Sequence, residues 1–408
     1  MQRDAEVLIV GGGLNGAALA LALASGGVAS IVLDAAPLDV HADPGFDGRA
    51  YALALASRRM LAALGLWAGI EAQAQPILDI KVSDGRPGEG ASPLHLHFDH
   101  REIDEGPMGH MIEDRYLRRA LIAAMEASAR IQHRAGVRVV DQEVAPGGAT
   151  VVLEDGTRLA AALVVGCDGR GSAVARRAGI ARLGHDYRQT ALVCAVEHEL
   201  PHRGTAHQLF LPAGPLAILP LPGNRSSIVW TEGRARAEVI ARMEPAAYLA
   251  ELRPRFGDFL GAIRLAGGRH SYPLDLTLAT SFTAPRVALA GDAAHGIHPL
   301  AGQGLNLGLR DVAALAEVLV GARRRGQDPG AADVLEGYAR WRRADTAALA
   351  GATDGINRLF SNDNPVLRLG RDLGLGLVNR LPPLRRALIR EAAGLTGDLP
   401  RLMRGRPI

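Results

Sequence analysis

An α/β fold with α+β character is predicted: a parallel-sheet domain is interleaved with an antiparallel-sheet domain and followed by a helical segment. Three observations carry this. Residues 6–10 (EVLIV) and 29–34 (ASIVLD) are short apolar runs suited to buried parallel strands, and a small-residue helical stretch at about 14–25 joins them. From about 187 to 275 the runs AHQLFL, LAILPL and SSIVW alternate as an antiparallel sheet does. Beyond Pro329 the chain is mainly helical.

At 408 residues the chain is long enough for two packed domains. Its 48% hydrophobic and 22% charged residues are those of an ordinary globular protein. The formal charge is only +3, and Lys81 is the sole lysine. The arginines are scattered among acids with no interleaved aromatics, which excludes a nucleic-acid-binding stripe. Cys167 and Cys194 are too few for a disulfide framework and badly spaced for zinc, so a reducing, cytoplasmic setting is expected. The apolar run Ala17 to Ala24 follows three glycines and the acidic Asp4 and Glu6, unlike a signal peptide. No apolar stretch reaches the ~18 residues a membrane span needs.

Taken in order, residues 6–34 form one βαβ unit. A helix is expected over about 57–64, loops with short strands over 81–110, and an amphipathic helix over 115–129 with Leu117, Leu121 and Met125 on one face. Strands follow at 137–140, 150–153 and 163–167, then the alternating region with one helix near 245–253. A buried strand at 286–291 leads to a long helix from Gln303, and the chain ends in PRLMRGRPI. The expected division is 1–76, 106–180 and 276–340 for the first domain, 77–105 and 181–275 for the second, and 341–408 for the helical region.

Three segments carry chemistry. In Gly11-x-Gly13-x-x-Gly16, Gly11 permits the tight turn, Gly13 lets backbone approach a pyrophosphate, and Gly16 lets helix pack on strand. Leu14 and Asn15 lie at that helix start. Asp34 ends the second strand, where a carboxylate accepts from a ribose hydroxyl. This makes the first domain Rossmann-like. In VVGCDGRGSAVAR (164–176) a strand ends at Asp168-Gly169 and leads into a short helix. In RVALAGDAAHGIHPLAGQGLNLGLRD (286–311) a strand ends at Gly291-Asp292. Pro299 follows, and Gly302-Gln303-Gly304-Leu305-Asn306 opens a helix whose positive end suits an anionic ring edge.

Together these segments resemble the class A flavoprotein monooxygenases, the para-hydroxybenzoate hydroxylase-like group, and most closely the UbiH/UbiF-type ubiquinone-biosynthesis hydroxylases. The resemblance rests also on Asp47-x-Arg49-x-x-Ala52-Leu53, Ile112-Glu113-Asp114-Arg115, Gly214-Pro215-Leu216-Ala217, Leu219-Pro220-Leu221, Ser227-Ile228-Val229-Trp230 and Tyr272-Pro273-Leu274. It covers about residues 5–395. It implies FAD along Arg49, adenosine contact by Asp114 or Arg115, and a flavin ring lined by Pro299 and Gly302 to Asn306. One face of the second sheet is implied to line the substrate cavity, so each of Leu209, Leu211, Leu219 and Pro220 fits core and cavity equally.

The activity implied is hydroxylation of a polyprenylated phenol ring in ubiquinone biosynthesis through a C4a-hydroperoxyflavin. O2 is co-substrate, and NAD(P)H or a protein donor supplies electrons. Because the cofactor carries the chemistry, no catalytic side chain and no metal site are assigned. His295 is expected to hold the turn rather than act as a base. His95, His97, His100 and His110 read as loop residues, and Cys167 as inert packing. A halogenase does not fit Lys81 and the scattered Trp67, Trp230 and Trp341. The alternatives kept are a prenyl-chain reductase, an aromatic hydroxylase of another pathway and a non-enzymatic flavoprotein subunit. Other ubiquinone-biosynthesis proteins, a homo-oligomer and peripheral contact with the bacterial inner membrane are the expected associations. The stretch 365–395 mixes leucine and arginine as an interfacial segment does, but its glycines and Pro382-Pro383 argue against one continuous surface helix, so docking on a neighbouring subunit is an equal expectation. Removing residues 366–408 is expected to weaken membrane or partner binding while FAD stays bound.

Overall fold

The computed structural model describes residues 3–38, 45–361 and 364–408. Its first sheet is built on strands apolar on both faces, as a covered parallel sheet demands. Ala5–Val10 runs parallel between Ser30–Asp34 and Arg158–Gly166. Ile131–Ala135 extends the sheet on one side, and Val287–Leu289 on the other. The hairpin Val139–Ala145 and Gly148–Leu153 joins the opposite half of Arg158–Gly166 antiparallel.

The helices follow in the order α1 (Leu14–Ser25), α2 (Leu55–Ala63), α3 (Asp114–Glu126), α4 (Ala173–Arg177), α5 (Arg234–Ala241), α6 (Pro245–Phe256), α7 (Gln303–Arg324), α8 (Ala332–Phe360), α9 (Pro365–Asn379) and α10 (Pro382–Ala392). Leu117, Leu121 and Met125 of α3 are buried, as their spacing predicts. Apolar side chains from α1, α3 and α7 share one large core with the first sheet.

The second sheet is antiparallel except where Thr205–Leu211 runs beside Asp79–Arg86. Its longest pair is Arg182–His198 with Ile263–Ala279. One face buries Leu192, Leu209, Leu216 and Trp230 beneath α5 and α6. The other turns toward the first sheet. A small third sheet joins Ala50–Ala54, Gln75–Ile77 and Gly109–Glu113.

Several expectations change. Asp79–Arg86 is an eight-residue strand in a region expected to be mostly loop. Its aspartates and glycine hide the Ile80, Val82 alternation. His97 and His110 sit on strands, not loops. His97 Nε2 lies 2.6 Å from Asp79, while His110 packs edge-on against Trp67. Ile131–Ala135 and α5 add elements that their polar residues conceal.

The C-terminal stretch is two helices broken at Leu381, in line with its prolines, because Pro382 and Pro383 start α10. After α10 the chain returns to the main core: Ala393, Leu395, Leu399, Leu402 and Met403 are buried there. Ala56 N–H donates to the Ala393 carbonyl, and Arg310 Nη2 to that of Gly394. Removing residues 366–408 therefore opens the main core rather than detaching a surface segment. Leu402→Ala should cost about 2–5 kcal/mol in denaturant melts. Leu377→Ala, at an exposed site, should change stability by less than about 0.5 kcal/mol.

Candidate functional site

A cavity of about 540 Å³ lies between the carboxyl ends of the parallel strands and the free face of the second sheet. That is where open α/β sheets bind ligands. Its first wall is the glycine turn. Gly11 has φ +102°, and a Cβ there would lie 2.4 Å from the Cys167 carbonyl oxygen. A Cβ at Gly16 would stand 1.9 Å from the Gly11 oxygen, so glycine is the condition for packing α1 on its strand. Gly13 differs: a Cβ there meets nothing within 4 Å, because the residue faces the cavity.

No side chain caps α1, so its first N–H groups stay available for an anion. Leu14 and Asn15 line the cavity, and the Asn15 Oδ1 is buried with no protein partner. Asp34 is buried beneath the turn, with its Oδ2 only 2.6 Å from where a Gly12 Cβ would be. Its Oδ1 accepts from Ala36 N–H at 2.9 Å.

Arg49, Ala50, Tyr51 and Ala52 form the second wall with Arg118 of α3. Asp114 binds this group together. It accepts from Tyr51 Oη at 2.9 Å and Arg118 Nη2 at 2.9 Å, with Arg49 Nη2 at 3.7 Å. Burial opposes the Asp114 charge, but Arg118, Tyr51 and Arg49 hold its carboxyl below the usual range. Arg115 turns to Glu113 at 2.7 Å and stacks over Phe46 and Tyr116. Of the pair left open by the sequence, Asp114 contacts cavity-lining residues. Arg118 was missed, although it stands one helical turn after Asp114.

Around the other strand ends, Gly169, Arg170 and Asp292 line the cavity. Asp168 does not: its Oδ1 accepts from Ser172 Oγ at 2.5 Å, and its Oδ2 accepts from Ala173 and Val174 N–H. It caps α4. Gly291 has φ +64°, and a Cβ there would meet the Asn15 amide at 2.2 Å. Cys167 lines the cavity rather than ending a strand, and burial raises its thiol pKa, leaving it neutral.

Pro299, Gly302, Gly304 and Leu305 make the third wall. Gly302 is left-handed (φ +64°), and a Cβ at Gly304 would meet nothing within 4 Å. The α7 N-terminus likewise has no side-chain cap. Asn306 points elsewhere. Its Oδ1 accepts from Ala54 N–H and Ser57 Oγ, and its Nδ2 donates to the Ala52 and Gly302 carbonyls. It staples α7 to the Ala50–Ala54 strand.

Behind this turn is a buried ionic network. His295 Nε2 lies 2.5 Å from Asp311 Oδ2, which also accepts from Gly291 N–H at 3.0 Å. Arg342 Nε donates to Asp311 Oδ1 at 2.7 Å. Burial disfavours the Asp311 charge, but His295 and Arg342 hold the carboxyl below its usual range. His295 is thus buried in the network behind the turn and does not line the cavity.

His298 is fully buried with neither ring nitrogen partnered among the described residues, and burial lowers its pKa to about 4. The unfolded chain binds this proton below about pH 6.5. His298 therefore adds stability that is complete above pH 6.5 and lost as pH falls toward 4. His298→Leu should flatten the melting-temperature profile across that window.

The fourth wall is the free face of the second sheet: Ala191, Val193, Ala217, Leu219, Val229, Tyr272 and Leu274. Val193, Val229 and Ala217 are direct cross-strand neighbours. Leu209 and Leu211 instead occupy the core under α5 and α6, because strand alternation sends Gln208 and Phe210 to the opposite face. Pro220 is buried outside the lining, since Leu219 takes the cavity side.

A second cavity of about 530 Å³ lies across the Pro299–Leu307 turn. Gln303 and Leu300 face it, with Val82, Phe98, Phe210, Leu349 and Phe360. Its lining is mostly apolar and includes residues of α8, α9 and α10.

The first cavity fits FAD. Two uncapped helix N-termini and three arginines meet the needs of a pyrophosphate and an electron-rich ring. The two glycines whose missing side chains leave open space give that group room, and Asn15 lines it.

Comparison with known proteins agrees. The FAD binding domain family matches residues 4–352. The chain is 48% identical over 407 residues to a ubiquinone hydroxylase, UbiL, of Rhodospirillum rubrum, covering 99% of this chain and 94% of that one. It is 36% identical to the 3-demethoxyubiquinol 3-hydroxylase of Escherichia coli, covering 96% and 98%. The fold matches p-nitrophenol 4-monooxygenase PnpA of Pseudomonas putida with a TM-score of 0.80 at 20% identity, over 97% and 99% of the chains. Glycine turns, paired helix ends and these likenesses agree: the chain belongs to the FAD binding domain family, among the ubiquinone-biosynthesis hydroxylases.

Proposed function

We propose that this protein hydroxylates the aromatic ring of a polyprenylated phenol during ubiquinone biosynthesis, with FAD and O2. The observation that carries this reading is the wall opposite the glycine turns, a strand face that is apolar except for Tyr272 and holds no carboxylate or histidine. FAD, when bound, supplies the activation of oxygen. The chain's part is then to hold, orient and keep dry.

In this reading the N–H groups of α1, together with Arg49, Arg118 and Arg170, neutralise the pyrophosphate. The α7 N-terminus lies along the ring and favours its electron-rich state. Asp34 accepts from the ribose, and Asp114 acts by orienting Arg49, Arg118 and Tyr51. The phenol ring lies against Val193, Ala217, Leu219 and Val229, and the prenyl tail in the second, apolar cavity. The first sheet with the glycine turns forms the cofactor domain, and the second sheet the substrate domain. Electrons come from NAD(P)H or a protein donor. The enzyme works in contact with the membrane that holds its substrate, beside other proteins of the same pathway.

The test is expression in quinone-deficient bacterial strains, each blocked at a different ring hydroxylation. Restored quinone in one strain, with a mass gain of one oxygen on the accumulated precursor, is the expected result. A gain of hydrogen instead would assign a prenyl-chain reductase.

A further inference from the structure

Helix α9 is apolar on two sides: Leu375 and Val378 pack inward, yet leucines also face out. Arg371 is only 5% exposed, and its Nη2 lies 2.6 Å from the equally buried Asp84. The outward stripe of the same helix reads Gly370, Leu373, Gly374 and Leu377. Leu373 is 56% and Leu377 61% exposed. A water-facing helix places its charges outside and its leucines within. Here a second apolar stripe faces out, while the cation Arg371 has a place inside.

The stripe continues beyond α9. Leu381, in the break between helices, and Leu384 and Leu388, one turn apart on α10, are all exposed. Leu388 also lines the second cavity, as does the exposed Ile356 of α8. The apolar cavity therefore opens at the edge of this leucine surface. Arg380 and Arg386 are exposed on the same segment, and neither has a carboxylate partner among the described residues. Residues 364–392 hold six arginines against two carboxylates.

We propose that the outer face of α9 and α10 docks on an anionic lipid bilayer, placing the mouth of the second cavity at the membrane surface. Leucines enter the headgroup boundary while Arg380 and Arg386 meet lipid phosphates. This rests on the reading that the substrate carries a prenyl tail, because such a tail then passes from bilayer to cavity without crossing water. A second copy of the chain fits less well: a two-fold contact here sets the unpaired arginines of both copies in one apolar patch. No helix of the described residues is long and apolar enough to cross a membrane, so the contact is a peripheral one.

The test is co-flotation of the FAD-loaded full-length protein with vesicles of phosphatidylcholine alone or with a third phosphatidylglycerol. Binding is expected on the anionic vesicles and should weaken as salt is raised. Leu373→Ser with Leu377→Ser should lower partitioning at least about tenfold. Arg380→Glu with Arg386→Glu should lower it by a similar factor, on anionic vesicles only. Flavin absorbance and melting temperature should stay unchanged in both variants.

Hydroxylation of a detergent-dispersed, short-tailed phenol should also persist in both variants, while turnover of a long-tailed phenol embedded in vesicles falls. Vesicle binding by a protein that hydroxylates neither phenol would overturn the proposed activity and leave the docking surface standing. Absent wild-type flotation, or flotation untouched by both pairs of substitutions, overturns the docking surface. So does a dimer in gel filtration that the leucine substitutions dissociate.

Discussion

Gly13→Val should give a folded, colourless protein. The backbone at Gly13 is extended (φ −62°, ψ −175°), and a Cβ there touches nothing within 4 Å, so the polypeptide itself accepts a side chain. The space a valine fills is the space FAD must use. Loss of the close phosphate approach at the α1 N-terminus should weaken FAD binding by roughly 3 kcal/mol or more, about a hundredfold. Fluorescence titration with FAD measures that loss, and far-ultraviolet circular dichroism should match the wild-type apoprotein. Gly16→Val gives the contrast: the 1.9 Å approach to the Gly11 oxygen should prevent folding altogether. A yellow, fully loaded Gly13→Val protein would remove the pyrophosphate from this turn.

The second large effect belongs to Asp311. It is fully buried, and it is the group through which His295, Gly291 and Arg342 meet. Asp311→Ala takes away one of the two carboxylates that hold the buried Arg342 and leaves only Asp345, which should destabilise the protein by about 3 kcal/mol in urea unfolding. Because Gly291 N–H loses its acceptor, the Gly291–His295 turn should loosen and FAD should be released before the chain unfolds. Adding Arg342→Met removes the under-paired cation while Arg310 still pairs with Asp345, so the double variant should be more stable than Asp311→Ala alone. Additive losses in that cycle would mean that the two side chains do not act as one unit.

What could be read from the chain differs from wall to wall of the site. The glycine turns were legible because a tight turn, a close backbone approach and an uncapped helix start each require glycine at a fixed spacing. The buried parallel strands were legible because nothing polar interrupts them. Asn306 was read for its place in the motif. Its amide, however, makes four hydrogen bonds to protein, a fact that depends on Ala52, Ala54 and Ser57, some 250 positions earlier. Asp168 is similar, since capping of α4 takes both its oxygens.

For Thr205–Leu211 the alternation was plain but its phase was not. Only the partner strands decide that Gln208 and Phe210 face the cavity while Leu209 and Leu211 face α5 and α6. Arg118 and the inward Arg371 of α9 depend on tertiary partners too. Asp84, which takes Arg371 inside, lies on a strand whose sequence looks like a loop.

The order in which the strands pair has a consequence for synthesis on the ribosome. Ala5–Val10 waits for Arg158–Gly166, its neighbour on one side, and that strand in turn waits for Val287–Leu289. Between them the chain must lay down most of the second sheet. No early portion can therefore complete its core while translation proceeds, and the nascent α1 and first strands spend most of elongation with their apolar faces uncovered. Ribosome-bound chaperones should engage this nascent chain until about residue 290 has left the exit tunnel. Stalled chains released before that point should be degraded rather than accumulate as a flavin-binding fragment.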